Sequence, residues 1–248
     1  MFDLIAPLFH DLYEKTGLNF NIFYDRYEYD HFVSGAITSL QLMFGAIVLS
    51  LVIGVLGAWA QGLGSRVLRG AVNAYIQAFR NTPPMIQLLF FYFGLGALTP
   101  QVDMGGYTEP MISAFSWAII ALGIFGGAYN VEIFRSGLEA VPQTTLEAAE
   151  SLCLSKWQTF RHVTLPLAFR TCLPALASNL ISLAKTTSLA YVISVPEMTY
   201  TLNQVWSDSI NVPEMMLILF VFYVAVVAVL GAGLGFLERK LALPGFGR

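Results

Sequence analysis

An ionisable side chain inside an apolar helical stretch is costly and marks a functional position by default. Lys185 is such a side chain, about halfway along an apolar run from Thr171 to Val195. Asn179, Ser182, Thr186, Thr187 and Ser188 lie near it. On a helix Asn179, Ser182 and Thr186 fall at i, i+3 and i+7 and share one face, which could line a path for a polar solute. That face offers hydrogen bonds and one positive charge; the other reading of Lys185 pairs it with a helix-end carbonyl or a partner subunit's carboxylate. Asn130, Glu132 and Gln87 are secondary candidates, either ligands or helix-packing hydrogen bonds. Nothing points to catalysis, a metal or a cofactor. His10, His31 and His162 are scattered, Cys153 and Cys172 lie far apart without a CxxC spacing, and no GxxxxGK[ST] phosphate loop occurs.

The elements that position these residues follow from composition. Of 248 residues, 56% are hydrophobic and 12% charged, against about a quarter charged in an average soluble domain. The apolar residues gather in runs long enough to cross a hydrocarbon core of roughly 30 Å as helices of about 20 residues. An all-α integral membrane protein in a lipid bilayer follows. A net charge of −3 gives no basic footprint for nucleic acid. Five transmembrane helices are expected: Ser34 to Ala60, about Arg80 to Gln101 with a kink or restart at Pro83-Pro84, Pro110 to Val131, Thr171 to Val195, and Met215 to Leu237.

Lys and Arg set the orientation, because short loops rich in them stay cytoplasmic. Arg66, Arg69 and Arg80 follow the first span, Arg135, Lys156, Arg161 and Arg170 separate the third from the fourth, and Arg239, Lys240 and Arg248 follow the fifth. The opposite side carries only Lys15 and Arg26 against ten carboxylates, Glu109 and Glu197 among them. The N-terminus is therefore expected outside and the C-terminus inside, with no cleaved signal peptide. Residues 1–33 form an outer segment in which Phe2, Ile5, Phe9 and Leu12 recur at helical spacing, the pattern of an interfacial helix. Gly123 with Gly127, and Gly231 with Gly235, are small-xxx-small pairs suited to close packing or dimer contacts.

A cytoplasmic stretch of about 40 residues, roughly 132–170, separates the third and fourth spans, far longer than ordinary helix connections. Thr144 and Glu147 have the spacing of a capping box, as do Ser155 and Gln158. Two short helices are expected, joined by a turn at Cys153-Leu154, the second stopping before Pro166.

In this loop Glu147-Ala148-Ala149, position 153 and Leu154-Ser155-Lys156-Trp157 through Leu165-Pro166 resemble the EAA loop of bacterial ABC-importer permeases. The family has glycine at the turn where Cys153 stands, so this turn must either avoid positive φ or accept strain. The resemblance narrows to the polar amino-acid branch through Phe79-Arg80-Asn81-Thr82-Pro83 with Gln87, Ala128-Tyr129-Asn130-Val131-Glu132, Thr187-Ser188-Leu189-Ala190, and Pro196-Glu197. It covers the chain from about residue 34 and implies a type I ABC importer transmembrane domain over 34–248, in the cytoplasmic (inner) membrane. It also implies its partners: a like or identical second permease, two ATPase subunits, and a periplasmic substrate-binding protein.

By that resemblance Glu147, Ala148, Ala149, Glu150, Cys153 and Leu154 couple the membrane helices to a separate ATPase, and the chain itself is no enzyme. Members with cationic substrates often carry Glu at the position of Asn179, and many have Asp where Thr186 stands. Both carboxylates are absent, so the expected substrate is an acidic or neutral polar L-amino acid. The competing readings are a secondary transporter of small polar solutes, which five spans fit poorly because they cannot form equal repeats, and the same importer class with a basic or opine-like substrate.

Overall fold

The computed structural model describes residues 2–103, 105 and 108–241; Met1, Met104, Gly106, Tyr107 and 242–248, Arg248 of the charge count included, lie outside, as do the Thr108 and Glu109 side chains. Ten α-helices follow in order among the described residues: α1 (Phe2–Thr16), α2 (Arg26–Gly62), α3 (Arg66–Arg80), α4 (Pro84–Leu89), α5 (Ala114–Glu139), α6 (Gln143–Ser151), α7 (Lys156–Thr159), α8 (Leu165–Thr186), α9 (Met198–Ser209) and α10 (Val212–Leu241). Four continuous helical stretches are long and apolar enough to cross a bilayer: Arg26–Gly62, Ala114–Glu139, Lys156–Ile193 and Val212–Leu241. These carry the first, third, fourth and fifth expected spans. Over the second expected span the structure has only the shorter apolar stretch Pro84–Leu98, preceded by α3 and a break at Asn81–Pro83. The break has the cause expected: Pro84 lacks an N–H and opens a new helix, while Gln87 Nε2 bridges it by donating to Phe79 O at 2.8 Å and Thr82 Oγ1 at 2.6 Å.

Two departures from the sequence reading have local causes. A two-stranded antiparallel hairpin, β1 (Gln101–Asp103) with β2 (Thr108–Pro110), interrupts the all-helical plan, and its turn begins where Asp103 Oδ1 accepts from Gly105 N at 2.9 Å. The helix opened at Ser155 does not stop before Pro166. A π-turn over Phe160–Thr164 links α7 to α8, so the chain stays helical through the proline. Widening the turn accommodates a ring that would clash in a straight α-helix.

The chain divides into two compact units, whose boundaries fall within α2, α4, α5, α8 and α10. One comprises residues 1–45, 88–121 and 185–228. Its core is Ile22, Met198, Leu202, Val205 and Met215, with Phe20, Phe23 and Trp206 packed around it. Here α1 turns Phe9 onto Phe23, ring centroids 4.5 Å apart, so the face expected on lipid is partly covered by the chain's own aromatics, while Leu4 and Leu8 are exposed. Glu197, fully buried, caps α9: its carboxylate accepts from Thr199 N at 3.0 Å, Tyr200 N at 2.9 Å and the Tyr223 hydroxyl at 3.1 Å. Burial pushes this carboxyl up, and those donors hold it down in part.

The other unit comprises residues 46–87, 122–184 and 229–248. In it α2 and α5 approach closely through glycine. A Cβ on Gly54 would lie 2.5 Å from Asn130 Cβ, on Gly57 2.4 Å from Val131 Cγ2, on Gly123 2.6 Å from Leu49 Cδ2, and on Gly127 2.6 Å from Ile53 Cγ2. The Gly123/Gly127 pair therefore serves packing inside the chain. Gly235, by contrast, has nothing within 4 Å, and Gly231 meets only Ile181 at 3.6 Å. Gly54→Ala should force α5 away and destabilise the protein by about 1–3 kcal/mol, as overpacking does, whereas Gly233→Ala, in open space, should be neutral. Thermal denaturation of both variants in detergent checks this.

Candidate functional site

The loop between α5 and α8 is built from local signals. Pro142, with extended backbone, is the residue before α6, and its carbonyl accepts from Thr145 N at 3.0 Å. Thr144 thus lies inside the helix and makes no cap, so the first expected capping box does not form; a proline with φ fixed near −65° is already suited to the boundary and starts the helix earlier. The second box does form: Ser155 Oγ accepts from Gln158 N at 3.3 Å and Ser155 N donates to Gln158 Oε1 at 2.8 Å.

The turn between α6 and α7 takes the strained option. Cys153 has φ of +56°, and Leu154 N donates to Ala149 O at 3.2 Å while Cys153 N donates to Glu150 O at 2.8 Å. That is the hydrogen-bond pair of a Schellman motif, with a non-glycine in its left-handed position. Of the expected coupling residues, Glu147, Ala148, Glu150 and Cys153 are exposed, Leu154 is half-buried, and Ala149 is buried. Residues not singled out from sequence complete the surface: Leu152 is 75% and Trp157 65% exposed, and the Trp157 and Phe160 rings stack at 5.9 Å. Two large apolar side chains exposed on a structured loop signal a protein contact, and Leu152 at the turn was the available clue.

The expected path residues divide into two groups. Asn130 is fully buried and Asn179 half-buried, and the structure brings them together. Asn179 Nδ2 donates to Asn130 Oδ1 at 2.8 Å and Gly126 O at 3.2 Å, and Asn130 Nδ2 donates to Ser50 Oγ at 3.1 Å. This network joins α2, α5 and α8, and Ser50 was not anticipated. Glu132 forms an ion pair with Arg80, whose guanidinium lies over the Tyr129 ring, 4.9 Å from its centroid. The Phe79–Pro83 and Ala128–Glu132 motifs thereby meet.

The second group lies on and just beyond α8. Thr171, Ala175, Ser178, Ser182 and Lys185 are exposed, at spacings of three and four, so the open face of this helix is a stripe of small and hydroxyl side chains ending in a lysine. Ser182 and Lys185 are on it as expected. Asn179 and Thr186 are turned partly inward, Thr187 is buried, and Ser188, half-buried, donates from Oγ to Lys185 O at 2.9 Å.

With this geometry in place, comparison with known proteins is decisive. Residues 46–243 match the family described as the binding-protein-dependent transport system inner membrane component. The chain belongs to this family. The glutamine transport system permease protein GlnP of Escherichia coli (strain K12) is 32% identical over 211 residues, covering 85% of this chain and 93% of the relative. The arginine transport system permease protein ArgU of Corynebacterium glutamicum is 31% identical over 222 residues, 87% of this chain and 70% of the relative. A crystal structure of an amino acid ABC transporter with histidines shares 29% identity at a TM-score of 0.74, covering 85% of this chain and 94% of that one. The fold is that of type I ABC-importer permeases, and the chain is a non-catalytic membrane subunit whose ATPase is a separate chain.

Cys153→Gly should stabilise the loop by about 0.5–1 kcal/mol: a non-glycine residue in the left-handed region costs roughly 1–2 kcal/mol, and the greater freedom of glycine in the unfolded chain offsets part of the gain. Comparing the melting temperatures of variant and parent tests it.

Proposed function

We propose that this chain is the permease subunit of an amino-acid ABC importer whose substrate is an acidic or neutral polar L-amino acid. The carrying observation is the open face of α8, which presents hydroxyls and the Lys185 ammonium and no carboxylate from Thr171 to Lys185. Such a face favours a substrate's carboxylates, and the one carboxylate beside it, Glu132 in the cavity that Thr171 and Ala175 line, is already paired with Arg80. Asn179 supplies an amide where a cation-selective site would want a negative charge. The similarity to a glutamine permease agrees with this reading. The alternative with a basic substrate is favoured by the similarity to the arginine permease. Uptake of labelled glutamine, challenged with excess glutamate or arginine, separates them: glutamate should compete and arginine should not, and equal competition would overturn the substrate class.

The same reading places the N-terminus outside and the C-terminus inside the inner membrane, with α3 and Pro84–Leu98 together making the second of five spans. A second permease, two ATPase subunits and an external binding protein complete the assembly. Exposed Cys153 and buried Cys172 supply a topological test. A membrane-impermeant maleimide should label the chain in inside-out vesicles and leave it unlabelled in right-side-out ones; the reverse would invert the orientation.

The coupling role falls to α6, where Glu147, Ala148 and Glu150 lie exposed beside Leu152 and Trp157. Small Ala148 allows close seating in an ATPase groove, and the two carboxylates pair with basic residues there. Glu147→Arg should leave membrane insertion intact while ATP hydrolysis proceeds with less than about a tenth of the uptake, since reversing an interfacial charge costs several kcal/mol. Full transport by that variant would defeat the lever.

A further inference from the structure

A crevice of about 840 Å³ opens between α2, α3 and α5, in the same unit as the coupling loop. Seven of its eleven lining residues are polar or charged. On α3, Arg69, Asn73 and Gln77 recur at intervals of four, and on α5, Glu132, Arg135 and Glu139 recur at three and four, so each helix gives the crevice one polar stripe. Gln61 of α2 completes the lining. It is 93% buried, its Nε2 donates to Asn73 Oδ1 at 2.8 Å, and its Oε1 has no donor among the described residues. A buried amide oxygen without a donor calls for an explanation.

The charges are amphoteric and within reach of exchange. Arg135 grips Glu139 through two hydrogen bonds of 2.7 Å, and Glu132 is held by Arg80; the side chains of Arg80, Glu132 and Arg135 are all more than a third exposed. Arg69, which reaches Gln61 O at 3.4 Å, has no carboxylate within 4.0 Å among the described residues. A ligand carrying one carboxylate and one ammonium can therefore place its carboxylate on Arg69 and share Glu132 or Glu139 through its ammonium with the arginines that already hold them.

We propose that this crevice is a second, low-affinity site for a free α-amino acid, entered from the coupling-loop side, through which accumulated product slows further import. The choice of amino acid rests on the substrate class proposed above; the site itself rests on the amphoteric lining. It differs from the α8 stripe in Gln61, Arg69, Asn73, Arg135 and Glu139, which lie on other helices; Glu132 alone also lines the cavity that holds Thr171 and Ala175.

The test uses the whole transporter, permease with its ATPase and binding protein, in vesicles of phosphatidylcholine and phosphatidylglycerol, whose headgroups carry no primary ammonium. ATP is enclosed, L-glutamine is added to the lumen up to tens of millimolar, and initial uptake of labelled glutamine is normalised to the same preparation with an empty lumen. Uptake should fall as lumenal glutamine rises, and glutarate, lacking the ammonium, should inhibit far less. Arg69→Gln and Asn73→Leu should each raise the half-inhibiting concentration about tenfold, the loss of one good hydrogen bond to a charged or polar ligand group. Normalised curves that superimpose on the parent's, or a parent that is not inhibited, overturn the site. A parent that takes up no amino acid overturns the substrate class instead, and this inference with it. Co-purification of each variant with the ATPase guards against misfolding, and Asn73→Gln, which keeps the amide, should restore part of the inhibition.

Discussion

The close approach of α2 to α5 is the constraint on which the inner architecture of the coupling-loop unit depends. Gly54, Gly57, Gly123 and Gly127 remove four side chains from the contact, and each would otherwise strike a neighbour at 2.4–2.6 Å. Only at that separation can Asn130 reach Ser50 on one side while Asn179 reaches Asn130 on the other. Magnitudes decide which of these matters more. A hydrogen bond between membrane helices averages about 0.6 kcal/mol, whereas forcing a methyl into a filled contact costs about 1–3 kcal/mol. Glycine packing therefore sets the spacing, and the amide network fixes the register that the spacing allows.

The same economy of polar groups governs the charged pair Arg80–Glu132. A buried ion pair gains little over apolar packing, yet losing one partner is strongly destabilising because the other is left uncompensated. Here both side chains remain about one-third exposed, and the guanidinium also rests on the Tyr129 ring. The pair ties the end of α3 to α5 just before the break at Asn81–Pro83, and Gln87 spans that break from the other side. A helix interrupted by proline is thus held at both of its broken ends.

Much of this was legible in sequence because the signals are local. The four long apolar helices, the Ser155–Gln158 box, the α3–α4 break at proline and the turn at Cys153 follow from hydropathy, cap spacing and ring geometry. What escaped depends on phase or on a neighbour. Asn179, Ser182 and Thr186 share a helical face, but periodicity cannot say which face is open; the structure opens the one through Ser178, Ser182 and Lys185, which keeps Ser182 and is turned by less than one residue, roughly 70°. Ser50 and Arg80 carry no sign of their partners 80 and 52 positions away. Thr144 has a cap's composition, but Pro142 pre-empts the boundary.

The π-turn at Phe160–Thr164 shows how a helix breaker can serve continuity. Pro166 could have ended α7 and left the loop joined to α8 by flexible chain, in which case movement of α6 would be lost in the joint. Widening one turn keeps the backbone helical from Lys156 to Ile193. The capping box fixes the start of that helix, and the Schellman turn fixes the end of α6 against it. Displacement of α6 by a partner therefore has no slack segment in which to dissipate before it reaches α8, the helix that carries both Asn179 and Lys185.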